Sequence, residues 1–268
     1  MKKTILITGS TDGIGKLAAF KLTKAGHKVL LHGRNREKLN GVIEEFKSLM
    51  PSADVSGYIS DLSNLTSVKT MADKIKEEHT SIEVLINNAG VFLSAKPRNA
   101  QGLDIRFVVN FLAPIVLTEG LLPTLKAGDQ PRVINLSSAA QAPVSLNAVV
   151  GKEALGDQAA YAQSKLALTM WNTQMAKTNL DITFIAVNPG SLLNTKMVQE
   201  AYGKHWAPAD KGADILVELA TDPKHVRMSG KYFDNDNGNY AYASPDAYEQ
   251  VKIDQLMETA NVVIKQEL

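Results

Sequence analysis

Thr4-Ile5-Leu6-Ile7-Thr8-Gly9-Ser10-Thr11-Asp12-Gly13-Ile14-Gly15, close behind Met1, is the stretch that decides the fold. Four β-favouring residues run into a glycine-rich turn, and a helical period follows over Ile14–Ala25. The apolar run stops at Gly9, too early for the core of a secretory leader. Glycines in such a turn let the backbone bend sharply and come close to a phosphate. The first turn of the helix behind it offers free N–H groups and the positive end of a dipole. A plain strand-to-helix turn has the same look, so the weight lies in its position directly after the first strand.

Working outward, short β-rich runs alternate with longer stretches of helical period. The strands are Thr4–Thr8, Lys28–His32, Asp54–Ser60, Glu83–Asn87, Arg132–Ser137, Thr183–Asn188 and a last short one near Lys231–Phe233. Helices are expected at Ile14–Ala25, Arg36–Met50, Leu65–Glu78, Gln101–Leu125, Gln158–Thr178 and Pro208–Thr221. Strand–helix alternation with right-handed crossovers predicts an α/β fold, a doubly wound (Rossmann) sheet of about seven parallel strands with helices on both faces. No repeat or linker divides the 268 residues, so 1–268 reads as one domain. Residues 139–157, 191–207 and the tail from Asp234 resist regular assignment. The first two follow strand ends, where such folds hold ligands, and are expected as substrate walls, with plain surface loops as the alternative.

Composition removes several function classes. The balance of 29 Lys plus Arg against 28 Asp plus Glu gives no field that would gather a nucleic acid or an anionic membrane. Cysteine is absent, which excludes disulfides, thiolate metal sites and cysteine nucleophiles. No unbroken run of about 18 apolar residues occurs, so no membrane span is expected, and the protein reads as cytoplasmic. The histidines at 27, 32, 79, 205 and 225 lack metal-ligand spacing and read as surface or loop residues; no metal is expected. No Gly-x-Ser-x-Gly elbow exists for a serine hydrolase.

Two strand ends carry further signals, Asn87-Asn88-Ala89-Gly90 and Asn135-Leu136-Ser137-Ser138, each ordinary turn chemistry when taken singly. The helix after the second contains Tyr161-Ala162-Gln163-Ser164-Lys165, placing a phenol and an ammonium four apart on one face. An ammonium near a phenol favours the phenolate, so the pair suits proton exchange with a substrate; helix surface is the alternative.

Together these residues resemble the short-chain dehydrogenase/reductase superfamily, in the right order over essentially the whole chain. The active-site helix is similar to the retinol-dehydrogenase-like and protochlorophyllide-reductase-like branches. The resemblance implies that Thr8, Gly9, Gly13, Ile14 and Gly15, with Ser10 and Thr11 between them, bind a dinucleotide flanked by Asn88, Ala89 and Gly90. It implies a catalytic set of Asn110, Ser138, Tyr161 and Lys165. Tyr161 would donate the proton, Ser138 would hydrogen-bond the substrate oxygen, and Lys165 would lower the phenol pKa and hold the nicotinamide ribose. Asn110 would support a water relay. Two departures stand out. Ser138 and Tyr161 lie 23 positions apart, a gap wider than in compact members and compatible with a bulky apolar substrate. In Asn188-Pro189-Gly190-Ser191-Leu192-Leu193-Asn194-Thr195 the threonine follows one residue later than usual. Pro189, Gly190 and Thr195 are the implied contacts of the nicotinamide end.

The second strand ends Leu31-His32-Gly33-Arg34-Asn35-Arg36, without the acidic residue that would accept a ribose 2′-hydroxyl. Arg34 matches a 2′-phosphate instead, and Asn35 lies beside it; a solvent-exposed arginine opening a helix is the alternative. Asp61 and Leu62 match the adenine contact at the end of strand three, where Asp61 reads equally as a helix N-cap. The expected activity is therefore NADP(H)-dependent hydride transfer between nicotinamide and a carbonyl or alcohol small molecule. The competing reading is a catalytically idle NADP(H)-binding sensor, which would have no use for all four catalytic residues. A homo-oligomer through the helices bearing Asn110 and Tyr161 is a further implication.

Overall fold

The computed structural model describes residues 1–268. Eight strands form one sheet: β1 (Thr4–Ile7), β2 (Lys28–Gly33), β3 (Val55–Ile59), β4 (Val84–Asn87), β5 (Arg132–Leu136), β6 (Thr183–Asn188), β7 (Lys231–Asp234) and β8 (Asn239–Ala241). Their order is β3-β2-β1-β4-β5-β6-β7-β8, and seven are parallel as expected. The eighth strand is a correction: β8 pairs antiparallel with β7, Phe233 opposite Tyr240. It is three residues long behind the turn residues Asn235-Asp236-Asn237-Gly238, so its period was too short to read.

The helices are α1 (Gly13–Lys24), α2 (Arg36–Leu49), α3 (Leu65–Glu78), α4 (Ile105–Phe107), α5 (Ala113–Lys126), α6 (Leu146–Val149), α7 (Asp157–Thr178), α8 (Lys196–Tyr202), α9 (Ala209–Thr221) and α10 (Gln250–Glu267). Period-2 alternation sends strand side chains to opposite faces. Ile5, Ile7, Val29, Leu31, Ile134 and Ile185 face α1, α2 and α9. Leu6, Leu30, Leu85, Val133 and Phe184 face α3, α5, α7 and α10.

Three expectations about the connecting segments change. The helix expected from Gln101 starts at Ile105, capped by Asp104, whose carboxylate accepts from the Arg106 N–H. Val108–Leu112 then forms a π-helical turn, leading into α5. The most apolar 18-residue window of this 22-residue run, Ile105–Lys126, has a mean hydropathy of 1.7, and the run is long and apolar enough to cross a membrane by length and composition. Here 78% of its most apolar window is buried, with α5 packed against α3, β4 and β5. In the 139–157 segment, expected without regular structure, Leu146–Val149 form α6, which packs on α10; Val149 joins the core, and Val144, Leu146, Val150 and Leu155 pack against it, partly buried. The tail ends in the 18-residue α10, whose Ile253, Leu256, Ala260, Val263 and Ile264 cover α3, α6 and α7.

Candidate active site

The strand order reverses between β1 and β4, and the turn after β1 stands at that switch point. Gly9 (φ +65°) and Gly13 (φ +51°) adopt left-handed conformations that side chains disfavour, and a Cβ on Gly9 would lie 2.9 Å from Ala89 Cα. Asp12 caps α1 by accepting from Gly13 N–H at 2.8 Å and pairs with Lys38 at 2.7 Å. The first backbone bond of the helix runs from Lys16 N–H to Asp12 O, leaving the Ile14 and Gly15 amides without a backbone acceptor. They are the donors an anion would meet. Asn88 ties the next strand end to the turn, donating to Thr8 O at 2.8 Å and Gly9 O at 3.1 Å, while Ala89 N–H donates to Thr8 Oγ1 at 3.0 Å.

Ser10 is fully buried, and its hydroxyl accepts from the His32 N–H at 2.9 Å. Thr11 fills the space beside Gly33, where an added Cβ would meet its methyl at 2.6 Å. His32 overturns the reading of all five histidines as surface or loop residues. It is buried under the glycine turn, its Nδ1 accepting from Gly9 N–H at 3.0 Å and its Nε2–H donating to Ser60 O at 3.1 Å. That pattern fixes the neutral tautomer, and burial lowers its pKa to about 4. His225 is buried as well, between Tyr240 OH (2.7 Å) and Glu218 (3.2 Å). Glu218, Asp222 and His225 bring ligand atoms within 4.8 Å of one another, but Lys224 neutralises both acids at 2.6 and 3.4 Å.

Arg34 is exposed at the end of β2 and makes no ion pair within the chain. Asn35 is the N-cap of α2, accepting from Lys38 N–H at 2.8 Å. Asp61 is exposed and accepts from Ser63 N–H at 2.9 Å; the N-cap of α3 is Asn64, and Leu62 is buried in the core.

The catalytic candidates converge at the ends of β4 and β5. Lys165 is buried, and its Nζ donates to Leu136 O at 2.6 Å and lies 5.6 Å from the centre of the Tyr161 ring. A Cβ on Gly90 would sit 3.5 Å from Lys165 Nζ and 3.4 Å from Asn110 Oδ1, so the three border one small space. Asn110 occupies the π-helical turn, a feature common at functional sites. Its cause is local: Ala113 N–H reaches back five residues to Val108 O, and Pro114 has no N–H to offer Asn110 O. The Asn110 amide accepts from Val91 N–H at 2.8 Å and donates to Val91 O and Ser164 Oγ, each at 3.0 Å.

Burial pushes the Tyr161 phenol up to about 12, against which the neighbouring Ser138 hydroxyl acts in the opposite direction. Burial also lowers Lys165 to about 8. In the protein alone, burial is the largest influence on both groups. Desolvation disfavours both charged forms, and the ammonium is turned toward Leu136 O. Ser138 is half-buried, its Oγ accepting from Ala140 N–H at 3.1 Å and its carbonyl held by Tyr232 OH at 3.1 Å. Tyr232 carried no sequence signal, since β7 lies almost a hundred residues away.

The 191–207 segment folds over this site. The chain bends at Gly190 (φ +123°) and again at Leu192 (φ +47°), with Pro189 O held by Asn235 at 2.8 Å. Thr195 is the N-cap of α8, accepting from Val198 N–H at 3.3 Å, and its methyl lies 3.8 Å from the position of a Cβ on Gly13. Phe92 packs edge-on against Tyr161 at 4.8 Å and lies 5.8 Å from Tyr202 at the end of α8. Leu93 and Trp206 are exposed nearby in sequence.

The sequence profile described as short chain dehydrogenase matches residues 3–206. The chain belongs to this family. Among its relatives, human polyprenol dehydrogenase is 30% identical over 258 residues, covering 87% of this chain and 77% of that protein. Human retinol dehydrogenase 13 is 32% identical over 254 residues, covering 87% and 76%. Among solved structures, a short chain dehydrogenase from Escherichia coli CFT073 complexed with NADPH superimposes with a TM-score of 0.72 at 25% identity, covering 87% and 96% of the chains. An uncharacterised protein from Mycobacterium paratuberculosis shares the fold at a TM-score of 0.80, with 24% identity over 98% and 93%. The family match ends at 206, so α9, β7, β8 and α10 lie outside it. As a short-chain dehydrogenase relative, the protein is an oxidoreductase of the kind that acts on small molecules.

Proposed function

We propose that this oxidoreductase is NADP(H)-dependent and interconverts a carbonyl and an alcohol on a bulky apolar substrate. The observation that carries the reading is the convergence of Ser138, Tyr161, Lys165 and Asn110 beside Gly90, within one site closed by aromatic rings. The chain suits the dinucleotide: two left-handed glycines and the free Ile14 and Gly15 amides make a cradle for the pyrophosphate. Arg34, unpaired at the end of β2 with no acid beside it, is placed for a 2′-phosphate. The NADPH complex of the Escherichia coli relative supports the same choice. When bound, the cofactor supplies or takes up hydride.

The chain's own residues handle charge and protons. As charge grows on the substrate oxygen, Tyr161 donates its phenolic proton and Ser138 donates a hydrogen bond; a positioned acid of this kind contributes about 10²–10⁴-fold. A phenol held near 12 keeps its proton at neutral pH, which suits reduction. Alcohol oxidation needs a cation closer to the phenol, a task for the two Lys165 N–H groups left over after Leu136 O. Asn110 keeps Val91 and α7 in register around that space and borders it together with Lys165, as a water relay would require. Phe92, Tyr161 and Tyr202 form an aromatic wall suited to an apolar skeleton. Relatives named for polyprenol and retinol support that class.

The test is NADPH oxidation with aldehydes, ketones and quinones, bulky apolar ones included, for wild type and Tyr161→Phe. Turnover falls by about 10²–10⁴-fold in the variant while NADPH affinity survives. A variant retaining more than about a tenth of the wild-type kcat overturns the role of Tyr161, because one positioned acid is worth at least that much.

A further inference from the structure

Arg106 is 1% exposed and belongs to none of the motifs above. Its guanidinium makes a two-point pair with Asp104, Nε to Oδ1 at 2.9 Å and Nη2 to Oδ2 at 2.6 Å. Its Nη1 donates to Asp157, the first residue of α7, and to the backbone carbonyl of Phe92 at 3.4 Å. Asp157 stands one helical turn before Tyr161, so both lie on one face of α7. Phe92 is the ring that packs edge-on against the phenol at 4.8 Å. One buried cation thus grips both bodies that confine Tyr161: the start of its helix and the backbone of its aromatic neighbour.

Arg106 and Asp104 are buried while the Asp157 side chain is 51% exposed, and such a cluster is a poor source of stability, because desolvation offsets the attraction of the buried pair and water screens the third charge. The planar fork of arginine does supply fixed direction, which a lysine cannot. We infer that Arg106, through Asp157 and Phe92, is a positioning residue that fixes the phenol of Tyr161 relative to Ser138 and Lys165. This rests on the proposed role of Tyr161 for its catalytic consequence but not for its geometric content.

The experiment places 3-fluorotyrosine at position 161 in the full chain and records its ¹⁹F resonance without ligand, alongside kcat, KM and NADPH affinity of the unlabelled variants. Asp157→Ala removes only the link to α7 and leaves the Asp104–Arg106 pair intact. Arg106→Lys keeps the charge and loses the fork. Both move and broaden the resonance and lower kcat by roughly 10-fold, as misplacing a reacting group does, with NADPH affinity unchanged. Asp157→Glu restores most of both signals. Asp157→Ala with Gln158→Asp, which returns an acid to the first turn without reaching Arg106, restores neither. An unmoved resonance and unmoved kcat in Asp157→Ala and Arg106→Lys overturn the inference, as does rescue by Gln158→Asp, which would assign the effect to the helix dipole. A displaced resonance in a protein whose Tyr161→Phe variant remains active upholds the positioning and refutes the proposed chemistry instead.

Discussion

At the residue scale, Lys165 shows how the site sets function against stability. A lysine with a folded pKa of about 8 and an ordinary value of 10.5 binds fewer protons folded than unfolded between those pH values. Its charge therefore opposes folding in full below pH 8, and the penalty fades as pH rises through 10.5. A shift of that size corresponds to about 3 kcal/mol, while replacing the side chain forfeits the bond to Leu136 O, worth about 1 kcal/mol. Lys165→Met is expected to raise the unfolding free energy by about 2 kcal/mol at pH 7 and to lose that gain near pH 10.5, while turnover and nucleotide affinity both drop. Denaturant titrations at the two pH values check this; equal or lower stability at pH 7 would contradict the burial argument. Arg34 is tested by dissociation constants. An exposed, unpaired guanidinium on a 2′-phosphate gives roughly a 10- to 150-fold preference for NADPH over NADH, weakened by salt. Arg34→Asp is expected to reverse the order, and a preference untouched by the change would remove Arg34 from the site. The motif residues were legible because their chemistry is local to a turn or one helix face. His32, Arg106 and Tyr232 were not, because each acts on backbone far away in sequence and only burial reveals it.

At the scale of elements, the seven parallel strands were readable to within a residue or two because β-rich runs broken by turn residues survive burial on both faces, whereas the three-residue β8 was not. The π-helical turn at Asn110 was not, since its cause lies four residues on, at Pro114. α10 carried its period openly at 253, 256, 260 and 263, but the turn-forming residues before it gave the whole tail the character of a loop. α8 is the opposite case: a seven-residue helix with no buried residue, ended by Gly203 in a left-handed conformation. Few apolar contacts mean a small free energy of local opening. Amide exchange by mass spectrometry is therefore expected to be fast over 196–202 in the free protein and to slow when NADPH occupies the space bordered by Gly13, Gly90 and Thr195. Protection as strong as that of α7 in the free protein would show that α8 is held by contacts beyond those described.

At the scale of the molecule, α10 lies within the chain against α3, α6 and α7. The expected homo-oligomer through the helices bearing Asn110 and Tyr161 would have to use whatever surface α10 leaves open. Leu256 is fully buried in this cover, and Leu256→Ala is expected to cost about 3 kcal/mol, on the order of 8 °C in melting temperature. A fall of less than about 1 °C would show that α10 is not part of the cooperative core.

The same cover has a kinetic side. Thr66, at the start of α3, donates to Glu267 O at 3.1 Å across 201 positions of sequence, and Asn99 reaches the Glu267 side chain across 168. Contacts between such remote partners form only after a large loop has closed, so they slow folding out of proportion to their strength. The parallel sheet can assemble around β1 and β4 before this happens, leaving the apolar faces of α3 and α7 wet in the meantime. Refolding should thus pass through a species with its nucleotide turn formed and one flank still sticky, the stage at which chain concentration decides between the native state and the aggregate.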